Sequence, residues 1–146
     1  MIIKKKNIAC LLILPDRRFL LIKRAPKDDS MPGFWELPSG GIDKGENMET
    51  SLVRETQEEV GIDISSYVFK KVDSENYSFK KENGDIKNVT ETTFIVFLDE
   101  KPKIELSKEH VDYKWVAIHE LYDVYKNEED LIYKRVHRIF KKKRYL

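Results

Sequence analysis

The chain has 146 residues, and its 27 lysine and arginine residues against 26 aspartate and glutamate residues give a formal net charge of +1. This balance excludes a general electrostatic attraction to nucleic acid or membranes, so any affinity for an anionic ligand must be local. With 40% hydrophobic residues, we expect residues 1–146 to form one compact domain. Cys10 is the only cysteine, which excludes an intrachain disulfide, and its apolar neighbours predict a buried thiol in a cytoplasmic protein.

The first two predicted strands form a hairpin. They cover about residues 7–14 and 18–24 and are separated by the turn Pro15-Asp16-Arg17. Three lysines precede the first apolar run, as in a secretory signal, but the run ends at Pro15 without a small-residue cleavage site. No segment approaches the roughly 18–20 apolar residues that span a bilayer. The sequence therefore predicts a soluble protein.

An amphipathic helix is predicted over residues 46–60. At about 100° per residue, one arc carries the packing side chains and the adjoining arc carries Glu55, Glu58 and Glu59. Like charges at this spacing repel by roughly 0.2–0.5 kcal/mol per exposed pair, a penalty that a divalent cation removes. Oxygen ligands without a histidine or cysteine cluster suit magnesium or manganese better than zinc. The packing arc consists of Met48, Leu52, Val53, Thr56 and Val60.

Glycines bound this helix on both sides. Gly40 and Gly41 precede it, and we expect them to take turn conformations that let the backbone approach a bound phosphate. Gly61 directly follows the acidic residues and predicts a left-handed helix end. A run of charges alone is usually a solvated helix face. The glycines at both ends favour a functional site instead.

Further strands and a second helix follow. Residues 68–81 and 87–98 predict a long hairpin that turns at Glu82-Asn83-Gly84-Asp85, and residues 113–118 predict another strand. Residues 128–143 carry apolar side chains at helical spacing and are markedly basic. This mixture of strands and helices predicts an α/β layered domain.

Residues 40–62 resemble the Nudix box. The glycine and charged positions of that signature are all in register, and the departure is Thr56, where the family usually has an aliphatic residue. The resemblance implies a Nudix-type α/β/α sandwich with a mixed β-sheet between helices. The matching positions are Gly40, Glu46, Arg54, Glu55, Glu58, Glu59 and Gly61.

The resemblance also implies an activity. Nudix enzymes are metal-dependent pyrophosphohydrolases that cleave a nucleoside diphosphate linked to another moiety, X, by attack of water on phosphorus. Glu55, Glu58 and Glu59 match the family's metal-binding positions, which implies Mg²⁺ as cofactor with Mn²⁺ as a substitute. Glu46 and Arg54 resemble the pair that orients the box loop on the helix.

The general base is left open among several carboxylates. Some family members use a glutamate from a loop after the box, and Glu109 matches it best, although an ordinary loop carboxylate explains Glu109 equally well. His110 could assist proton transfer, but one histidine beside one carboxylate is more often incidental. The competitors for the role of Glu109 are Glu91, Glu105 and Asp112.

Substrate contacts are implied for Arg24, Gly40 and Gly41, since a guanidinium suits bidentate phosphate binding. Together with Pro38, these residues look most similar to members that cleave nucleoside triphosphates, including oxidised ones. Tyr77 stands fifteen positions after the box, where members that cleave ADP-ribose often have proline; a tyrosine near there is found in diadenosine polyphosphate hydrolases.

A different class of function rests on the basic segment 133–144, which could hold RNA in a capped-RNA hydrolase or in a non-catalytic nucleotide- or RNA-binding module. An amphipathic helix with a solvated basic face is the simpler interpretation. All three box glutamates are retained, which favours an enzyme, and the family resemblance implies a small nucleotide as its substrate. Because family members are often dimers, a homodimer is an open expectation.

Overall fold

The computed structural model describes residues 1–26 and 33–142. Lys143 and Arg144, at the end of the basic segment 133–144, lie outside these residues. None of the helices described has the length and apolar character needed to cross a membrane. The described part of the chain forms, in order, β1 (Ile2–Ile13), β2 (Phe19–Arg24), β3 (Trp35–Glu36), β4 (Ser39–Gly41), α1 (Met48–Val60), β5 (Phe69–Lys80), β6 (Ile86–Phe97), β7 (His110–Val116), α2 (Leu121–Tyr125) and α3 (Leu131–Lys141).

The strands form one mixed sheet in the order β3-β2-β1-β6-β5, with β4 paired to β1 and β7 paired to β2. β1 and β6 run parallel along their whole length, from Ile2 opposite Ile86 to Ile13 opposite Phe97. The other pairings are antiparallel. Both predicted hairpins, β1–β2 and β5–β6, are confirmed.

Two apolar layers cover the two faces of the sheet. Because side chains alternate along a strand, Cys10 and Leu12 of β1 face α1, where they join Leu52 and Val60. The intervening residues of β1 join Val136, Ile139 and Phe140 of α3 on the opposite face. The predicted α/β/α sandwich is therefore confirmed. Cys10 is buried as expected, and this burial raises the pKa of its thiol to about 12.

Element boundaries differ from the sequence prediction where tertiary contacts decide them. β1 begins at Ile2 because its pairing with β6 carries the strand through the lysines at 4–6. β7 runs over His110–Val116 because it pairs with β2 over that range. α3 begins at Leu131 because the Asp130 side chain caps it, accepting hydrogen bonds from the backbone amides of Ile132 and Tyr133.

The basic face of α3 is not simply solvated, which corrects the sequence interpretation. Arg135 is only 3% exposed and forms ion pairs with Glu75 and Glu91. The Nε and Nη2 atoms of Arg138 each lie 2.8 Å from one carboxylate oxygen of Asp73. Carboxylates of β5 and β6 therefore neutralise both arginines, and this pairing docks the helix on the sheet.

Replacing Arg138 with alanine is expected to lower the free energy of unfolding by about 1.5–3 kcal/mol, because it leaves the buried Asp73 carboxylate without its two charged hydrogen bonds. Lys134→Ala on the same helix is the matched control. It removes only an exposed pair with Glu129 and should change stability by less than about 1 kcal/mol. Urea unfolding measures both, and equal losses would contradict this account of how α3 docks.

Candidate active site

The residues at both ends of α1 have the chemistry that a helix end requires. At its start, the Asn47 side chain accepts a hydrogen bond of 2.8 Å from the Thr50 amide. At its end, Gly61 has φ 75°, and its amide donates to the Gln57 carbonyl. A Cβ added to Gly61 would lie 2.9 Å from Cβ of Glu105, so a side chain fits poorly in addition to being strained. The predicted left-handed helix end is confirmed.

The two arcs of α1 meet different surroundings. The predicted packing arc is confirmed, since Leu52, Thr56 and Val60 are buried and the other two members pack partly against the same core. The acidic arc is graded: the Glu58 side chain is 58% exposed, whereas Glu59 is only 6% exposed. The carboxylates therefore reach from solvent into the protein along one side of the helix.

One guanidinium, that of Arg54, gathers most of the acidic groups. It contacts four carboxylates and one backbone carbonyl, so a single positive charge faces as many as four negative charges. The contacts are Glu46 at 2.9 and 3.0 Å, Glu55 at 2.9 Å, Glu58 at 3.3 Å, Asp43 at 3.4 Å and the carbonyl of Gly41 at 3.1 Å.

Glu46 holds the loop before α1 against the helix. Besides its two contacts with Arg54, its Oε1 accepts hydrogen bonds from Ser51 Oγ at 2.7 Å and from the Asp43 amide at 2.9 Å. The hydrogen bonds from Arg54, Ser51 and Asp43 hold the pKa of Glu46 at about 2, well below its ordinary value. Glu46 therefore stays ionised and binds the loop through charged hydrogen bonds.

Gly40 and Gly41 are not in turn conformations, which corrects the sequence expectation. They lie in β4, where pairing places Gly40 opposite Ile8 of β1 and keeps the backbone extended. Gly40 is required for another reason. A Cβ there would lie 2.1 Å from the carboxylate carbon of Glu55, so that carboxylate occupies the space of a side chain. The glycine brings Glu55 directly against the strand.

Glu59 belongs to a second, buried group of polar side chains. Its Oε1 accepts a hydrogen bond of 2.6 Å from the Ser39 amide, and its Oε2 lies 3.7 Å from Nε2 of His110. The same nitrogen of His110 lies 2.8 Å from Oε2 of Glu36, which Arg24 also contacts at 3.1 Å through Nε. β2 organises this group because it pairs with both β3 and β7.

The buried carboxyl groups have too little positive charge around them. Burial raises the pKa of Glu59 to about 9; the Ser39 amide opposes this shift, and the charges of Glu36 and Glu55 add to it. Burial likewise raises the pKa of Glu55, against the favourable contacts with Arg54. A carboxyl group in this position either takes up a proton or requires a cation. Glu55, Glu58 and Glu59 offer carboxylate oxygens, which are the ligands that a hard divalent ion prefers.

The candidate bases lie in different surroundings. Glu109 is exposed, and its backbone carbonyl accepts from the Ala25 amide at 2.8 Å. Glu91 is buried against Arg135, Glu105 packs beside Gly61, and Asp112 accepts a hydrogen bond from the amide of Tyr113.

Among the described residues, the group of three whose potential ligand atoms lie within 4.8 Å of one another is Glu36, Glu59 and His110.

Sequence reasoning did not identify Glu36, and it treated His110 as incidental. Glu36 lies three residues before the start of β4, between Trp35 and Leu37, as an acidic residue flanked by apolar ones. An acidic residue between two apolar ones is the sequence signal that could have indicated a functional role for Glu36. The partnership with His110 depends on β2, which pairs Ile22 with Glu36 and Arg24 with His110 and so brings together residues 74 positions apart.

Comparisons with known proteins agree with this geometry. The model of the NUDIX domain family matches residues 4–137. The chain is 33% identical over 122 residues to an RNA pyrophosphohydrolase of Nitratiruptor sp., covering 79% of each chain. It is 29% identical over 125 residues to the nucleoside triphosphatase NudI of Escherichia coli, covering 81% of this chain and 86% of that one.

The fold comparison extends over almost the whole chain. A MutT protein from Methanosarcina mazei has a TM-score of 0.79 and 21% identity, and the match covers 97% of this chain and 96% of that one. At this identity the likeness shows the fold alone. The family match over residues 4–137 and the two named relatives show that the chain belongs to the NUDIX domain family and is a hydrolase that acts on pyrophosphate bonds.

Proposed function

We propose that this chain is a Mg²⁺-dependent pyrophosphohydrolase whose substrate is a nucleoside triphosphate or a related nucleotide, including oxidised ones. The observation that carries the proposal is the set of carboxylates around Glu55, which is partly buried against Gly40 and lacks sufficient positive charge. The relative named as a nucleoside triphosphatase supports the substrate class. The oxygen ligands support Mg²⁺, with Mn²⁺ as a substitute.

Each side chain of the site has a distinct proposed task. When bound, the divalent ion would polarise phosphoryl oxygens and lower the pKa of a coordinated water. Glu55, Glu58 and Glu59 would hold it, and Arg54 would keep the first two in place through its contacts at 2.9 and 3.3 Å. The flat backbone of β4 at Gly40 and Gly41 would let the phosphates approach the carboxylates.

Two further roles complete the proposed reaction. Arg24 would contact the phosphates while Glu36 orients its guanidinium from 3.1 Å. Glu109 would act as the general base, supported by its exposure and by its position next to His110 at the start of β7. His110 would hold Glu36 in place rather than bind the metal ion, because its Nε2 already lies 2.8 Å from Oε2 of Glu36.

A second candidate substrate is RNA with a 5′-triphosphate. The supporting observation is the relative of 33% identity that is named an RNA pyrophosphohydrolase. Its reactive group is also a triphosphate, so the same carboxylates would serve either substrate. α3 offers little support for this alternative, because Arg135 and Arg138 are paired with carboxylates of the sheet.

A substrate panel tests the proposal directly. Phosphate or pyrophosphate release would be measured with nucleoside triphosphates, oxidised dGTP, ADP-ribose, diadenosine polyphosphates and 5′-triphosphorylated RNA, each with Mg²⁺ and with chelator. We expect Mg²⁺-dependent cleavage of triphosphates. Selective cleavage of ADP-ribose or of diadenosine polyphosphates would overturn the proposed substrate class, and activity that persists in chelator would overturn the metal site.

Replacing Glu58 with glutamine is expected to lower the hydrolytic rate by at least about a hundredfold, because it removes a charged ligand without changing side-chain size. Glu58 is largely exposed, so the fold should be retained, as circular dichroism would check. Glu49→Gln, an exposed residue in the first turn of the same helix but on the side opposite to Glu58, is the control and should keep its activity. A fully active Glu58→Gln enzyme would contradict the metal assignment.

The raised pKa of Glu59 predicts a pH dependence of stability in chelator. In the unfolded chain this carboxyl ionises near pH 4.5, whereas in the folded chain it holds its proton up to about pH 9. The folded state therefore binds more protons between these values, and stability falls as pH rises, by up to about 1.4 kcal/mol per pH unit. In denaturant unfolding at several pH values, the unfolding free energy of Glu59→Gln should fall less steeply with pH than that of the unmodified chain. Identical slopes would show that Glu59 is ionised when buried.

A further inference from the structure

A groove of about 760 Å³ opens beside the loop that leads from β4 to α1. Ile42 and Asp43 of that loop form one wall. The floor consists of three neighbouring strands at the same level of the sheet, namely residues 4–6 of β1, 76–78 of β5 and 88–90 of β6. The groove therefore extends along the sheet, away from the carboxylates of α1.

Lysine side chains give this groove a positive charge. Lys4 and Lys6 alternate in register with Ile8 and Cys10, which face α1, so they project from the same face of the sheet. Both are exposed, and within residues 1–26 and 33–142 neither forms an ion pair.

The floor of the groove offers neutral hydrogen-bond donors between the lysines. Oδ1 of Asn88 accepts from Ser78 Oγ at 2.5 Å, and Oδ1 of Asn76 accepts from Thr90 Oγ1 at 2.7 Å. These bonds orient both amides, and their NH₂ groups remain as donors for an anionic ligand. Cationic and amide donors on one face suit a chain of phosphates.

The groove is continuous with the candidate active site. Ile8 lies opposite Gly40, against which the Glu55 carboxylate packs. Lys6 is two residues further along β1, about 6.6 Å by strand geometry, and its carbonyl accepts from the Ile42 amide at 3.0 Å. The wall residue Asp43 contacts Arg54, which in turn contacts Glu58. A polyanion bound at the carboxylates could therefore run directly past Lys6 and Lys4.

We propose that this groove binds the sugar-phosphate backbone of a single-stranded RNA whose 5′-triphosphate lies at Glu55 and Glu58. The proposal rests on the proposed pyrophosphohydrolase activity and on its second candidate substrate, triphosphorylated RNA, for which it assigns a site for nucleotides beyond the first. A mononucleotide places its phosphates at the carboxylates and has no anionic group left to reach Lys4. A longer strand carries one further phosphate per nucleotide, matching a positive groove that extends from the site.

The double variant Lys4→Ala/Lys6→Ala tests the proposal. Its KM for a 5′-triphosphorylated oligonucleotide of eight nucleotides is expected to rise by roughly tenfold, far more than its KM for the matching nucleoside triphosphate. Loss of two phosphate contacts should also reduce the slope of log KM against log salt concentration by about 1.4. Lys101→Ala/Lys103→Ala removes the same charge from an exposed segment beyond the far end of β6 and should leave both KM values unchanged.

Binding measurements separate this proposal from the proposed activity. Fluorescence anisotropy of the labelled oligonucleotide would be measured with Glu58→Gln, alone and combined with Lys4→Ala/Lys6→Ala. Weaker binding of the triple variant supports the groove, even if no member of the substrate panel is cleaved. Equal binding with and without the two lysines overturns it, as would an equal rise of KM for the mononucleotide and the oligonucleotide.

Discussion

Arg54 carries the positive charge on which the arrangement of the acidic groups depends. Its guanidinium is shared among the carboxylates of Asp43, Glu46, Glu55 and Glu58 and the carbonyl of Gly41. These contacts connect β4, the loop after it and α1, so the strand, the loop and the helix cannot shift independently. The same contacts leave negative charge in excess, because one guanidinium faces four carboxylates. The structural support of the site and its excess of negative charge thus have one origin.

Burial increases the energetic cost of this excess negative charge. A solvated cluster of glutamates would be screened by water, but Glu55 packs against Gly40 and Glu59 lies under β4 against His110. Their pKa values are raised for that reason. A divalent ion can bind such groups without first stripping them of water, and in exchange it displaces the protons that burial favours. Preorganised carboxylates of this kind suit catalysis at a phosphate, where negative charge must be neutralised.

Local sequence signals predicted the parts of the structure that local physics controls. Helical periodicity predicts the packing arc of α1, and Gly61 predicts its left-handed end. Asn83-Gly84 predicts the turn between β5 and β6. The α/β/α architecture could be predicted because the resemblance of residues 40–62 to a known motif supplied the topology.

Features that depend on strand register could not be predicted in the same way. The contact between Glu36 and His110 exists because β2 pairs with two strands that are far apart in sequence. The sequence suggests a turn at Gly40 because nothing local indicates that the Glu55 carboxylate fills its side-chain space. The pairing of Arg135 and Arg138 with β5 depends on which residues of that strand face α3. In each case the missing information is a long-range pairing.

Thermal unfolding with and without Mg²⁺ tests most directly whether the carboxylates around Arg54 require a divalent cation. At an Mg²⁺ concentration about a hundred times Kd, binding to the folded state should contribute about 2.7 kcal/mol and raise Tm by several degrees. An equal ionic strength of NaCl should not reproduce the increase. A Tm that responds equally to both salts would contradict the claim, because the carboxylates would then be satisfied without a bound metal.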